Sequence, residues 1–303
     1  MKLFTAAKDL KFLDANQIIG EAMKIPAKSP SPLFLISIIT LIFALSLIQL
    51  LCKISFSDFV PTLYPKSIHE FVYNLSFFLL FLLSTSVILF TVASLYASKS
   101  VSFISTLFAI PRIFEHLPIT FLYALLLKSV TYYLILFTPT YVFDSLNINE
   151  GALWWGAVGL LIIIAIIYFV VHLYVMALWH LASVISVVEP NVYGLAAMKK
   201  SKKLLQGRIL IAFQLANLYF AATFFIGKVF GYVMQSPDHF MVKILLGLAC
   251  SFWLVSVNLT SLLVQSVFFL ACKSHHNQVV RKKVMYHHLC GYDLRDKSKI
   301  MIG

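Results

Sequence analysis

Negative charge is what this chain has least of. It carries 12 Asp and Glu against 24 Lys and Arg in 303 residues, and none of the acidic residues falls inside its long apolar runs. Ion-coupled transporters and membrane-embedded acid–base enzymes set ionisable side chains toward the interior of the bundle. The lack of acidic residues there argues against a proton or sodium site built on a membrane carboxylate. Charge of either sign is also scarce, at 12% against about 25% in an ordinary soluble domain, while 60% of the residues are hydrophobic. So little charge cannot cover a water-soluble particle of this length, and lipid must take the place of the missing polar surface. Cysteine is rare as well, with four in the chain. Only Cys52 lies at the end of an apolar run away from the basic loops, which rules out an intrachain disulfide framework. Phosphate-binding glycine loops, nucleophile elbows and metalloprotease helices are missing. The sequence thus gives no ground for an enzyme, a metal centre or a cofactor.

What is present is a set of six apolar runs: Leu33–Cys52, Asn74–Tyr96, Ile119–Phe143, Ala152–Val188, Ile209–Met234 and Val242–Cys272. A span needs about 20 residues, and each run reaches that length. All must be helical, because an open strand leaves backbone groups unpaired in hydrocarbon. The fold class expected is all-α: a polytopic transmembrane bundle of about six spans with interfacial amphipathic helices. Residues 1–32 then form an N-terminal cytosolic segment, 33–272 the membrane domain and 273–303 a basic cytosolic tail. The first 32 residues are mixed and charged, so the first apolar run reads as a signal-anchor rather than a cleaved leader.

Orientation follows from counting cations in alternate segments. Nineteen of the 24 Lys and Arg lie in the N-terminal segment, the second and fourth loops and the tail; three (Lys53, Lys66, Lys243) lie in the other loops. That sorting places both termini in the cytosol. The net charge of +12 then belongs to headgroup-facing loops, and nucleic acid is not an expected partner. Trp154 and Trp155 open the fourth run, where indoles anchor at the interface. As one helix that run would be about 55 Å long against a hydrocarbon core of about 30 Å, which predicts that it continues beyond about His172 into the cytosolic interface.

Each segment leading into an odd-numbered span holds a short amphipathic stretch. Phe12, Ala15, Ile19, Ala22 and Met23 share one face of the first, with Asp14 and Gln17 placed as a capping box. Val101, Ile104, Leu107 and Phe108 form the second, ended by Pro111. In the third, Val192, Leu195, Met198 and Leu205 line one face and Lys199, Lys200 and Lys203 another, with Glu189 and Pro190 suited to the helix start. Such helices lie in the interface plane, and the layout reads as one surface helix followed by two spans, repeated three times. The alternative is that short basic loops between apolar runs look amphipathic by chance.

The stretch from Trp179 to Arg208 reads WHLASVISVVEPNVYGLAAMKKSKKLLQGR. With its Trp179, Glu189, Gly194, Ala196, Ala197, Lys200, Ser201, Gly207 and Arg208, it resembles a pattern of plant multi-span membrane proteins of unassigned function. More distantly it resembles the membrane domain attached to some bacterial glycerophosphodiester phosphodiesterases. Cys272-Lys273-Ser274-His275-His276 and the opening Gly20-Glu21-Ala22 resemble the plant proteins too. The resemblance implies a fold rather than a chemistry, because the bacterial enzyme's hydrolase domain has no counterpart here.

The candidate residues follow. Lys199, Lys200, Lys202, Lys203 and Arg208, with Arg281, Lys282 and Lys283 in the tail, are expected to contact anionic headgroups or a cytosolic protein partner. Lys128 lies in mid-span and is the intramembrane polar candidate, against the reading that its stem snorkels to the interface. Cys272 at the membrane edge is a candidate for palmitoylation. His172, His180 and Glu189 are a metal or proton site only if they converge; hydrogen bonding to a neighbouring helix is the simpler reading, as it is for Gln214, Asn217, Asn258 and Gln265. The tail cluster His275, His276, His287, His288 and Cys290 matches no standard zinc spacing. The functional expectation is a non-enzymatic membrane scaffold or adaptor. The alternative is a transporter or channel for a small solute or lipid, which turns on Lys128.

Overall fold

The computed structural model describes residues 9–27, 32–51, 79–88, 118–123, 152–189, 192–235 and 240–277, with single or paired residues at 76, 92, 126–127, 130, 134 and 137–138. Among the described residues the fold is all-helical, with no strand. A 3-10 turn, Asp9–Phe12, leads into α1 (Ala15–Ala27) and α2 (Pro32–Leu51). The second half of the chain gives α3 (Ala152–Val188), α4 (Leu195–Leu205), α5 (Ile209–Gln235) and α6 (Phe240–His275). Three helices are long and apolar enough to cross a membrane: α3 from Val158, α5 and α6. Ile39–Leu50 and Leu79–Ile88 are shorter apolar helical stretches. The last three apolar runs of the sequence are thus single helices, with ends within a few residues of those expected.

Local signals set the helix ends. Asp14 N–H donates to Gln17 Oε1 at 3.1 Å, which is the expected capping contact at the start of α1. At the far end of α5, Lys243 Nζ donates to the Met234 carbonyl at 3.1 Å. A cation there offsets the orphan carbonyls of the last turn. Gly194 starts α4 with φ +59°. Its N–H donates to Thr120 Oγ1 at 2.8 Å, and a Cβ there would stand 3.2 Å from Ile119 Cγ2. Glycine is needed both for the left-handed backbone and for the close approach.

The long α3 changes character along its length. From Leu160 to Val171 its Leu, Ile, Phe and Val side chains are largely exposed, whereas from Leu173 to Val188 they are largely buried. Bare aliphatic surface of that extent is stable against lipid rather than water. The transition falls at the point, near His172, where the sequence predicts that the helix outlasts the hydrocarbon core. The buried half joins α1, α4 and the last turns of α6 in one core, built around Leu181, Ile185, Leu262, Val267, Phe269 and Ala271. The central helix is α6, which packs against α1, α2, α3, α4 and α5 and against the 3-10 turn.

Both described surface helices bury only part of the apolar face named from the sequence. α1 buries Ile18, Ala22 and Ile25, while Phe12 is 79% and Met23 56% exposed. α4 buries Ala197, Ser201, Leu204 and, from the expected face, Leu205, while Leu195 is exposed. The cause in α4 is close approach: small residues let two helices come near enough for a side chain to reach backbone, and Ser201 Oγ donates to the Leu178 carbonyl of α3 at 2.9 Å. A reading by hydrophobicity alone overlooks Ala and Ser. Glu189 and Pro190 also do not start α4, since Glu189 directly follows α3 and Gly194 is the N-cap.

The two surface helices dock alike in the proposed repeat. α4, which begins the third unit, packs on α3 of the unit before it, and α1, which begins the first, packs on α6 of the last. The stretch of the middle unit, Val101 to Pro111, lies outside the described residues.

Candidate functional site

The basic end of the bundle gathers most of the residues that the sequence singles out. Glu189 follows α3 with its side chain 10% exposed, and it meets two lysines. Lys200 of α4 hydrogen-bonds Oε2, and Lys273 of α6 lies 2.5 Å from Oε1. One carboxylate thus ties α3, α4 and α6 together. Lys273, 13% exposed in its side chain, also lies 5.1 Å from the centre of the Phe269 ring. Lys200 is therefore engaged inside the fold, in contrast to the headgroup contact expected of it.

Arg208 departs further from that expectation. It is 5% exposed, and its guanidinium donates to the Lys11 carbonyl through Nη2 and to the Leu13 carbonyl through Nη1 at 3.3 Å. Burial lowers its pKa from the ordinary value, while Cys272 and Asp14 act to raise it. The adjoining turn carries Gly207 at φ +81°, where a Cβ would lie 2.8 Å from His275 Nε2. Lys11 Nζ donates to Asn277 Oδ1 at 3.3 Å, and the His276 ring meets the Leu204 carbonyl at 3.2 Å. The N-terminal turn, the α4–α5 turn and the end of α6 are thereby locked together. Cys272 is fully buried in this lock, at 0% exposure, so its thiol is not presented for acylation as the sequence suggested.

What remains for contact outside is Lys199, Lys202 and Lys203, all exposed. At about 100° per residue they cluster opposite the docked face formed by Ala197, Ser201 and Leu204. Lys128, Arg281, Lys282 and Lys283 lie outside the described residues.

A family model described as Domain of unknown function (DUF8558) matches residues 62–300. The chain belongs to that family. No curated protein and no solved structure matches it. The matched region holds the whole Trp179–Arg208 stretch, and most of the residues that mark its pattern have packing tasks, although Ala196 is exposed. Trp179 meets Phe81 and Phe121 at ring-centre distances of 5.4 and 5.1 Å. Glu189, Lys200, Gly194, Ser201, Gly207 and Arg208 make the contacts above, and Ala197 is fully buried.

Deeper along the helices lies a polar group centred on Asn258 of α6, 3% exposed. Its Nδ2 donates to Ser46 Oγ at 2.9 Å and Gln49 Oε1 at 2.8 Å, both on α2. Its Oδ1 accepts from the Tyr219 hydroxyl of α5 at 3.1 Å. This is the interhelical role expected of Asn258; Gln214 and Asn217 instead lie exposed. Asn258→Leu is expected to lower stability in a micelle by about 1–2 kcal/mol, because it strands Ser46, Gln49 and Tyr219 together. Thermal unfolding followed by size-exclusion would measure this, and an unshifted midpoint would show that the network contributes nothing.

His172 and His180 both face α5, against the rings of Phe220 at 5.7 Å and Tyr219 at 6.1 Å. Glu189, engaged by its lysines, is not gathered with them. Beside His180 a cavity of about 310 Å³ opens between α3, α5 and α6, with Ile19 of α1 at its edge. A void of about 10 Å³ behind it shares His180, Tyr219, Ser261 and Gln265 and reaches Asn258. The sequence missed this cavity. Its signal was the run of small residues Ala212, Ala216 and Ala222 on one side of α5, which leaves room against α6.

Proposed function

We propose that the protein is a non-enzymatic, six-span membrane scaffold whose basic end faces the cytosol, with both termini there, and engages anionic lipid headgroups. The observation that carries this reading is the setting of Lys199, Lys202 and Lys203. They stand outward on α4, a helix held by Ser201 on one side and by Glu189 through Lys200 on the other. A helix fixed in this way presents its ammonium groups without the ordering entropy that a free basic tail loses on binding. The sorting of Lys and Arg to alternate loops supports the orientation and the six-span count.

Each lysine near an anionic surface contributes about 1 kcal/mol. Changing Lys199, Lys202 and Lys203 together to Gln should therefore weaken retention of phosphatidylserine by about tenfold or more. Native mass spectrometry of the full chain from nanodiscs of graded phosphatidylserine content would read this. Retention equal to wild type would reject the lipid reading. If lipid retention were unchanged but an acidic cytosolic protein no longer co-purified, α4 would be a protein-docking surface instead. Protease protection of tags at the two termini tests the orientation.

A further inference from the structure

The cavity beside His180 shares no lining residue with the cationic face and is built differently. Among the described residues its lining has no Asp, Glu, Lys or Arg. The wall is chiefly apolar, from Ala216, Leu218 and Trp253; its polar side chains are Ser256, Thr260 and the four shared with the void behind, His180, Tyr219, Ser261 and Gln265. Gln265 is 8% exposed. Among the described residues its carboxamide makes one hydrogen bond, from Nε2 to Ser261 Oγ at 3.3 Å. Its carbonyl oxygen keeps accepting capacity, and a ligand that donates a hydrogen bond would find it in the cavity lining.

We propose that this cavity binds an uncharged lipid bearing a hydroxyl group on an apolar body. Charge complementarity selects the head: a carboxylate, phosphate or ammonium would enter a wall without a counter-charge, and burying an unpaired charge is far more costly than burying a hydroxyl that finds partners. The surroundings select the body. α3, α5 and α6 are the helices apolar enough to cross a membrane, and Leu218 and Trp253, which line the cavity, are also exposed on the outer surface. The cavity therefore opens to lipid. A cavity of about 150 Å³ holds benzene, so 310 Å³ accepts roughly a dozen carbon atoms on the same scale. It takes the hydroxyl end of the lipid, and the rest of the body runs out along α5 and α6. A glycerolipid such as a monoacylglycerol and a sterol share this chemistry.

The test uses the full chain in nanodiscs and three diazirine probes: a monoacylglycerol, a sterol and a fatty acid of matched chain length. Labelling by at least one hydroxyl probe should saturate, be displaced by its unlabelled parent, and map to peptides of α5 and α6 that line the cavity. Which of the two labels identifies the source. The fatty acid, kept ionised by labelling at alkaline pH because the bilayer raises its pKa, should label at least tenfold less. Ala222→Trp should reduce labelling at least tenfold, and Gln265→Leu several-fold. Leu210→Trp, on a surface outside the cavity, should leave it unchanged. Labelling that does not saturate, or that is equal for the fatty acid, would overturn the proposal in the wild-type protein alone. Insensitivity to both Ala222→Trp and Gln265→Leu would overturn it as well. The lysines of α4 take no part, so this result stands apart from that of the phosphatidylserine experiment.

Discussion

Glu189→Gln is expected to lower the unfolding midpoint of the nanodisc-embedded protein by on the order of 10 °C, the effect of about 3 kcal/mol. The size comes from what the substitution leaves behind. Glu189 faces Lys200 and Lys273, and the amide keeps the shape of the carboxylate but not its charge. Lys200 can turn toward water, since its side chain is 36% exposed. Lys273 cannot, at 13% exposure, and its ammonium is stranded between α3 and α6. Breaking a buried pair by removing one partner is far more harmful than replacing both. A second substitution, Lys273→Met, should therefore recover a large part of the loss when combined with Glu189→Gln. Alone it should be milder than Glu189→Gln, because Lys200 still answers the carboxylate. The four proteins form a double-mutant cycle. Additive effects of the two changes would show that the carboxylate and Lys273 do not interact, and a wild-type midpoint for Glu189→Gln would remove the three-helix tie altogether.

These contacts show which parts of the molecule could be read from the sequence and which could not. The long helices were legible, because an apolar run of span length in lipid has one backbone solution. So was the capping contact between Asp14 and Gln17, whose spacing is local. That the fourth run forms one helix longer than a hydrocarbon core followed from its length. The roles of Lys200, Arg208 and Cys272 were not legible. Each sits close in sequence to exposed lysines or to a helix end, and composition assigns all of them to the membrane surface. Their surroundings come from other elements: Arg208 meets Lys11 and Leu13, Lys200 meets Glu189 beyond the end of α3, and Cys272 lies buried beside Arg208. The docked faces of α1 and α4 were only partly legible for a related reason. Periodicity marks an amphipathic axis without saying which residues meet protein. Small residues decide it, as Ala22, Ala197 and Ser201 do here.

The same long-range logic gives the sharpest expectation for Arg208. Its two hydrogen bonds run to main-chain carbonyls of the N-terminal turn, so their loss should be felt locally. Arg208→Met keeps the aliphatic stem but removes both charge-assisted bonds, each worth about 1.5–3 kcal/mol. The desolvation of the guanidinium, relieved in the same change, offsets part of this, leaving about 2 kcal/mol of lost local stability. Opening of the turn would rise by more than tenfold. Amide exchange across Asp9–Asp14 and cleavage after Lys11 by a lysine-specific protease should accelerate accordingly, while exchange in the middle of α5 and α6 stays at its wild-type rate. Arg208→Lys should resemble Arg208→Met rather than wild type, because one compact ammonium does not span two carbonyls as the planar guanidinium does. If the lysine variant protected Lys11 fully, charge alone would hold the turn and the two-carbonyl geometry would be irrelevant. If neither variant changed the rate, the N-terminal turn would be held by α1 and Asn277 without Arg208.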